Sequence, residues 1–79
     1  MITYAEIKFM EYLRKITGSF HTKLFDLIFV ADTENFRKIG EAFPDECETV
    51  KKYREERGYF PELEKRYANR FAEEKSNNH

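Results

Sequence analysis

The stretch Phe20 to Ala31, FHTKLFDLIFVA, constrains the fold more than any other part of this chain. Phe20, Leu24, Leu27, Ile28 and Ala31 share one helical face, Phe25 and Phe29 lie on another, and only Lys23 and Asp26 hold a narrow polar strip. A helix of that kind has to be surrounded. A chain of 79 residues has little material for the purpose, because a domain this small buries only about 60% of the surface its unfolded chain exposes. The pattern therefore predicts that this segment is the hub of a small helical bundle or is partly covered by a partner.

Composition shows how so short a chain forms a core. Eight Phe and five Tyr, with no Trp, supply a large apolar contribution per residue. Charged residues make up 37%, yet 14 basic against 15 acidic side chains leave a net charge of −1. That balance makes a mixed-sign surface and argues against steering toward duplex nucleic acid or an anionic membrane. Cys47 is the sole cysteine, so no internal disulfide forms and a reducing cytosol is the expected compartment. The amino end, MITYAEIKFMEYLRK, lacks the apolar core of a secretory signal, and no segment has the roughly 18 uncharged apolar residues of a membrane span. The expectation is a cytoplasmic, all-α protein: one helical domain over residues 1–74 and a polar tail over 75–79 that frays.

Five helices can be read. Thr3 and Glu6 form a capping box that starts the first near Tyr4, with Ile2, Ala5, Phe9, Tyr12, Leu13 and Ile16 on its apolar face. Gly18 is the expected left-handed residue that ends it, and Ser19 the cap of the second. Asp32 or Thr33 caps the third, whose Phe36, Ile39, Gly40 and Phe43 repeat at helical spacing. Gly40 in that stripe marks a place for close approach of a neighbour. Pro44 opens the fourth, followed by the acidic Asp45, Glu46 and Glu48. This helix runs to about Arg57 before Gly58. Its apolar side, Cys47, Val50 and Tyr53, is thin, so it is expected on the outside. Pro61 marks the fifth, with Phe60, Leu63, Tyr67 and Phe71 in line and Ala68 and Ala72 beside them.

Motifs of catalysis are missing from this pattern. One cysteine and two histidines offer no zinc spacing, and the carboxylates form no calcium loop. His21 and Cys47 read better as a solvated polar residue and a small core residue than as a nucleophilic pair. Glu55 and Glu56 project about 100° apart, and no glycine-rich loop could cradle phosphate. The expectation is a protein that is not an enzyme and needs no cofactor.

Basic residues interleaved with tyrosine carry the remaining signal. Lys51, Lys52, Arg54 and Arg57 flank Tyr53 and Tyr59, and Lys65, Arg66 and Arg70 follow. Arginine forks beside aromatic faces can hold phosphate and stack a base, which makes Tyr53, Arg54, Arg57, Tyr59, Arg66 and Arg70 the candidate binding residues. The ordinary alternative is a solvated helix face stabilised by the i, i+4 pairs Glu48–Lys52 and Glu62–Arg66. Tyr59 falls outside the apolar stripe of the fifth helix, and as an exposed tyrosine flanked by arginines it would suit a protein interface. The surplus of apolar surface also predicts a homodimer, through whichever of Phe25, Phe29 or Val30 stays uncovered or through the Ile7 and Met10 side of the first helix.

The segment GSFHTKLFDLIFVADTENFRKIGEAFPDE running into VKKYREERGYF, Gly18 to Phe60, resembles the short helical accessory proteins found among bacteriophage and prophage genes. The resemblance implies a viral protein made in a bacterial cytoplasm that binds and blocks a host component, such as a defence enzyme. It also leaves room for two other roles: sequestering a nucleotide signal, and serving as a structural part of a phage complex.

Overall fold

The computed structural model describes residues 1–77, and side chains up to Arg70. It is an all-α bundle in the order α1 (Tyr4–Leu13), α2 (Ser19–Val30), α3 (Thr33–Ala42), α4 (Pro44–Glu55) and α5 (Tyr59–Asn77). Asn78 and His79, at the end of the expected polar tail, lie outside the described residues, as do the side chains of Phe71 and Ala72.

The first helix begins as its sequence requires. Thr3 Oγ1 accepts from the Glu6 backbone N–H at 3.1 Å, and Glu6 Oε1 accepts from the Thr3 N–H at 3.0 Å, a complete capping box. Its end differs from expectation. Lys15, not Gly18, takes the left-handed conformation (φ 61°), while Gly18 sits at φ −69° as the N-cap of α2 and Ser19 is already inside that helix. Lys15 N–H donates to Tyr12 O and Ile16 N–H to Glu11 O, both at 3.0 Å, the paired bonds of a Schellman closure. The chain closes the helix early because those two bonds satisfy carbonyls that would otherwise be orphaned, at the expense of a left-handed lysine. Ile16, expected on the apolar face, is consequently left 66% exposed.

The core gathers Phe9 and Met10 of α1, Leu24, Phe25 and Ile28 of α2, Cys47 and Val50 of α4, and Tyr59, Leu63 and Tyr67 of α5. In α2 the residues Leu24, Phe25 and Ile28 are buried and His21 and Phe29 half-buried, whereas Phe20 and Leu27 are exposed. At 100° per residue, the inward face is rotated by roughly 80° from the one read in the sequence. The cause is aromatic: Phe25 and Phe29 pack on Phe9 at 5.3 and 6.1 Å and on Tyr12 at 5.3 and 6.1 Å.

The hub is α4 rather than α2. It packs against each of the other four helices, which overturns its expected place on the outside. Its apolar side is thin but made of small residues; Val50 is fully buried and Cys47 and Thr49 nearly so, which lets neighbours close in from several directions. Gly40 faces this helix as expected, at an ordinary distance: a Cβ added there would meet the Cβ and Sγ of Cys47 at 3.9 Å. Phe36 and Ile39 of α3 and Phe43, the residue that follows it, are only half-buried against the core.

Candidate functional site

The structure divides the candidate binding residues into separate settings. Glu6 organises the first. It lies inside the buried arc of α1 between Ala5, Phe9 and Met10, with 5% of its surface exposed. Its carboxylate accepts from the Tyr59 hydroxyl at 2.6 Å and from both terminal nitrogens of Arg66 at 2.8 and 2.9 Å, besides the Thr3 N–H. Burial alone would raise the carboxyl pKa, but the hydrogen bonds from Arg66, Tyr59 and Thr3 and the guanidinium charge outweigh it and hold it down to about 2. Burial pushes the Tyr59 phenol well above its ordinary range, reinforced by the adjacent Glu6 carboxylate. Lys52 places its ammonium 5.9 Å from the Tyr59 ring centre.

Tyr59 is therefore buried, not the exposed tyrosine expected from its place outside the apolar stripe. The turn at Arg57–Gly58, closed by Tyr59 N–H to Glu56 O at 3.1 Å, starts α5 at Tyr59 and swings that ring toward α1. Arg66 likewise reaches across to α1 rather than along its own helix to Glu62.

The second setting is the end of α4. Tyr53 is 37% exposed, and its ring is held by Phe9 at 5.1 Å, Phe60 at 5.6 Å and Phe29 at 6.2 Å in edge-to-face contacts. Arg54 donates to the Phe29 carbonyl at 2.6 Å and lays its guanidinium over the Phe29 ring, 5.1 Å from the centre. Phe29 is in the last turn of α2, where carbonyls have no partner in the helix, so Arg54 caps that end and complements its dipole. Arg57 is exposed in the following turn. Beside this surface Lys51, Arg54 and Glu55 line an open groove of about 360 Å³ with Ala31, Asp32, Thr33 and Phe36. Its charges are of both signs, and Asp32 already accepts from the Asn35 N–H at 2.8 Å to cap α3.

Arg66 and Arg70 border a third region, a groove of about 470 Å³ with Met1, Ile2, Ile7 and Asn69. The six candidates thus do not converge on one cavity. Tyr59 and Arg66 satisfy Glu6, Tyr53, Arg54 and Arg57 gather at the end of α4, and Arg70 stands at the α1–α5 groove.

Sequence reasoning assigned Glu6 only its capping role. The missed signal is positional: Glu6 precedes Phe9 by three residues and Met10 by four, which puts a carboxylate within the inward stripe of α1 and demands a buried cation or donor. His21 is ringed by Phe20, Tyr4 and Phe25 at 5.2, 5.9 and 6.3 Å, and Cys47 is buried with its thiol pushed up by that burial. Among the described residues no group of three His, Cys, Asp or Glu is placed to hold a metal ion, and no helix is long and apolar enough to cross a membrane. The chain matches no protein-family model, no curated protein and no solved structure.

Proposed function

We propose that this chain is a non-enzymatic protein-binding domain that engages its partner through Tyr53, Arg54 and Arg57 at the end of α4, with Phe29 and Phe60 behind them. The observation that carries this reading is the half-exposed Tyr53 ring locked edge-to-face among three phenylalanines, with an arginine laid across the neighbouring ring. Tyrosine and arginine dominate the energetics of protein interfaces, and side chains already held in place lose little entropy on binding. The resemblance of Gly18 to Phe60 to phage accessory proteins supports a bacterial host protein, of the defence class, as the partner. Inhibition or modulation then follows from occupancy alone.

Full-length tagged protein, incubated with bacterial lysate and examined by mass spectrometry for both proteins and small molecules, tests this directly. A stoichiometric host protein is expected, with capture reduced at least tenfold by Tyr53→Ala and by Arg57→Glu and unchanged by Arg70→Ala. Capture that survives both α4 variants overturns the assigned surface. A stoichiometric nucleotide without any protein overturns the reading in favour of a nucleotide-sequestering role, for which Tyr59 and Arg66 would first have to leave Glu6. Recovery of neither favours a structural component of a larger phage assembly.

A further inference from the structure

The rotation of α2 leaves a strip that stays more than half in water, with the Phe20 ring 5.9 Å from that of Phe43 at one end. Phe20 is 60% exposed, Leu27 52% and Val30 79%, and Lys23 is exposed between them. Positions 20, 23, 27 and 30 follow the 3-4-3 spacing of the seam between two paired helices. The three apolar side chains leave on the order of 400 Å² in water, as much as the largest apolar patch of a typical monomer. A stable interface takes about 800 Å² from each partner, so this strip supplies roughly half and its polar margins can supply the rest.

We propose that α2 forms the interface of a twofold homodimer in which two copies pack this helix antiparallel, with the Phe20–Lys23–Leu27–Val30 strip as the seam. Charge decides both the occupant and the direction. Lys23 and Asp26 lie almost symmetrically about residue 25, so an antiparallel twofold pair centred there sets residue i against residue 50−i. Phe20 then meets Val30 of the second copy. The Lys23 stem lies on the second copy's Leu27, and its ammonium comes beside the second copy's Asp26, whose counterpart in this chain is fixed at the rim by the Tyr12 hydroxyl at 2.6 Å. A parallel pair would stack Lys23 on Lys23, placing like charges together at a largely apolar seam, with the two Asp26 carboxylates on opposite flanks. The strip is complementary to itself in one direction only.

Sedimentation equilibrium of the full chain across a wide concentration range tests the pairing. A species of twice 9.6 kDa is expected. Leu27→Asp and Val30→Asp should each weaken association at least tenfold while leaving the helical circular dichroism unchanged, because both side chains are exposed in the single chain. Tyr53→Ala should dimerise like the parent, which separates this interface from the protein-binding surface at α4. Direction is read by cross-linking in a Cys47→Ser background: a copy carrying Lys23→Cys and a copy carrying Leu27→Cys should join to each other in preference to either joining itself. A monomer at every concentration, a dimer indifferent to both aspartate variants, or preferential joining of Lys23→Cys copies to themselves overturns the proposal.

Discussion

Tyr59 and Arg66 at the junction of α1 and α5, and Tyr53 and Arg54 at the end of α4, are the same two residue types in opposite circumstances. The first pair is turned inward onto one buried carboxylate; its hydrogen bonds are consumed within the molecule and tie residues 53 and 60 positions apart in sequence. The second pair faces outward, with the Arg54 guanidinium on a backbone carbonyl and both side chains packed against phenylalanine rings. Nothing in the composition of the two pairs distinguishes them. The difference is Glu6: a charge in an apolar stripe must be paired, so it captures whichever donors the fold brings within reach. A cluster of tyrosine and arginine in sequence is accordingly evidence for a site only after the buried acids have taken their share.

The largest test of this contrast removes the charge at its centre. Glu6→Gln retains the capping geometry, since glutamine also completes a capping box, but strips the carboxylate from Tyr59 and Arg66. It should lower unfolding stability by about 3 kcal/mol in urea denaturation, the lower end of the range for breaking a buried ion pair because Arg66 stays a quarter exposed.

The same carboxyl sets an acid response. Its pKa falls from 4.5 unfolded to about 2 folded, so its contribution is complete above pH 4.5 and is lost as pH falls from there through 2. Thermal melts across this window should show a loss approaching roughly 3 kcal/mol. In Glu6→Gln that part of the acid dependence should vanish.

Tyr59→Phe is a milder intervention, because Glu6 keeps Arg66 and Thr3. A loss of about 1–2 kcal/mol is expected, the scale of a hydrogen bond to a charged acceptor. The hydroxyl also makes an alkaline marker: a phenol with a raised folded pKa stabilises the fold below about pH 10, and that stability fades as pH climbs toward its folded value. Ultraviolet titration should show two late tyrosines in the parent, Tyr12, pushed up to about 12 by its hydrogen bond to Asp26, and Tyr59, which ionises later still or only with unfolding; Tyr59→Phe should lose the later one alone.

Across the molecule, Arg54→Ala should cost only about 0.5–1 kcal/mol of stability, since water can replace it at the exposed Phe29 carbonyl and only the cation–π contact is forfeited. A loss above about 3 kcal/mol would place Arg54 with the inward pair and erase the contrast.

Helices α1 and α3 were legible at their starts because capping is local. Thr3 with Glu6 and Asp32 with Asn35 meet within a single turn, where chain connectivity alone brings donor to acceptor. The closing of α1 was not legible, because Lys15 adopts a conformation that residue preference assigns to glycine. Nor was the rotation of α2: an apolar surface on both sides of a helix leaves its orientation to the neighbours, and Phe9 and Tyr12 of α1 claimed Phe25 and Phe29. The site was the least legible part, since Tyr59 and Arg66 were drawn away from the other four candidates by a carboxylate more than fifty positions away.

The sequence by itself determined an all-α chain, the positions of its helices and the residues that start them, because helical periodicity, caps and proline act over a few residues. Tertiary structure alone decided that α4 is the hub, that Tyr59 is buried while Leu27 is not, and that Glu6 rather than a ligand holds Arg66. Those outcomes depend on which faces meet. Burial is shared among helices far apart in the chain, and a side chain whose local pattern fits either face takes the one its distant neighbours leave open.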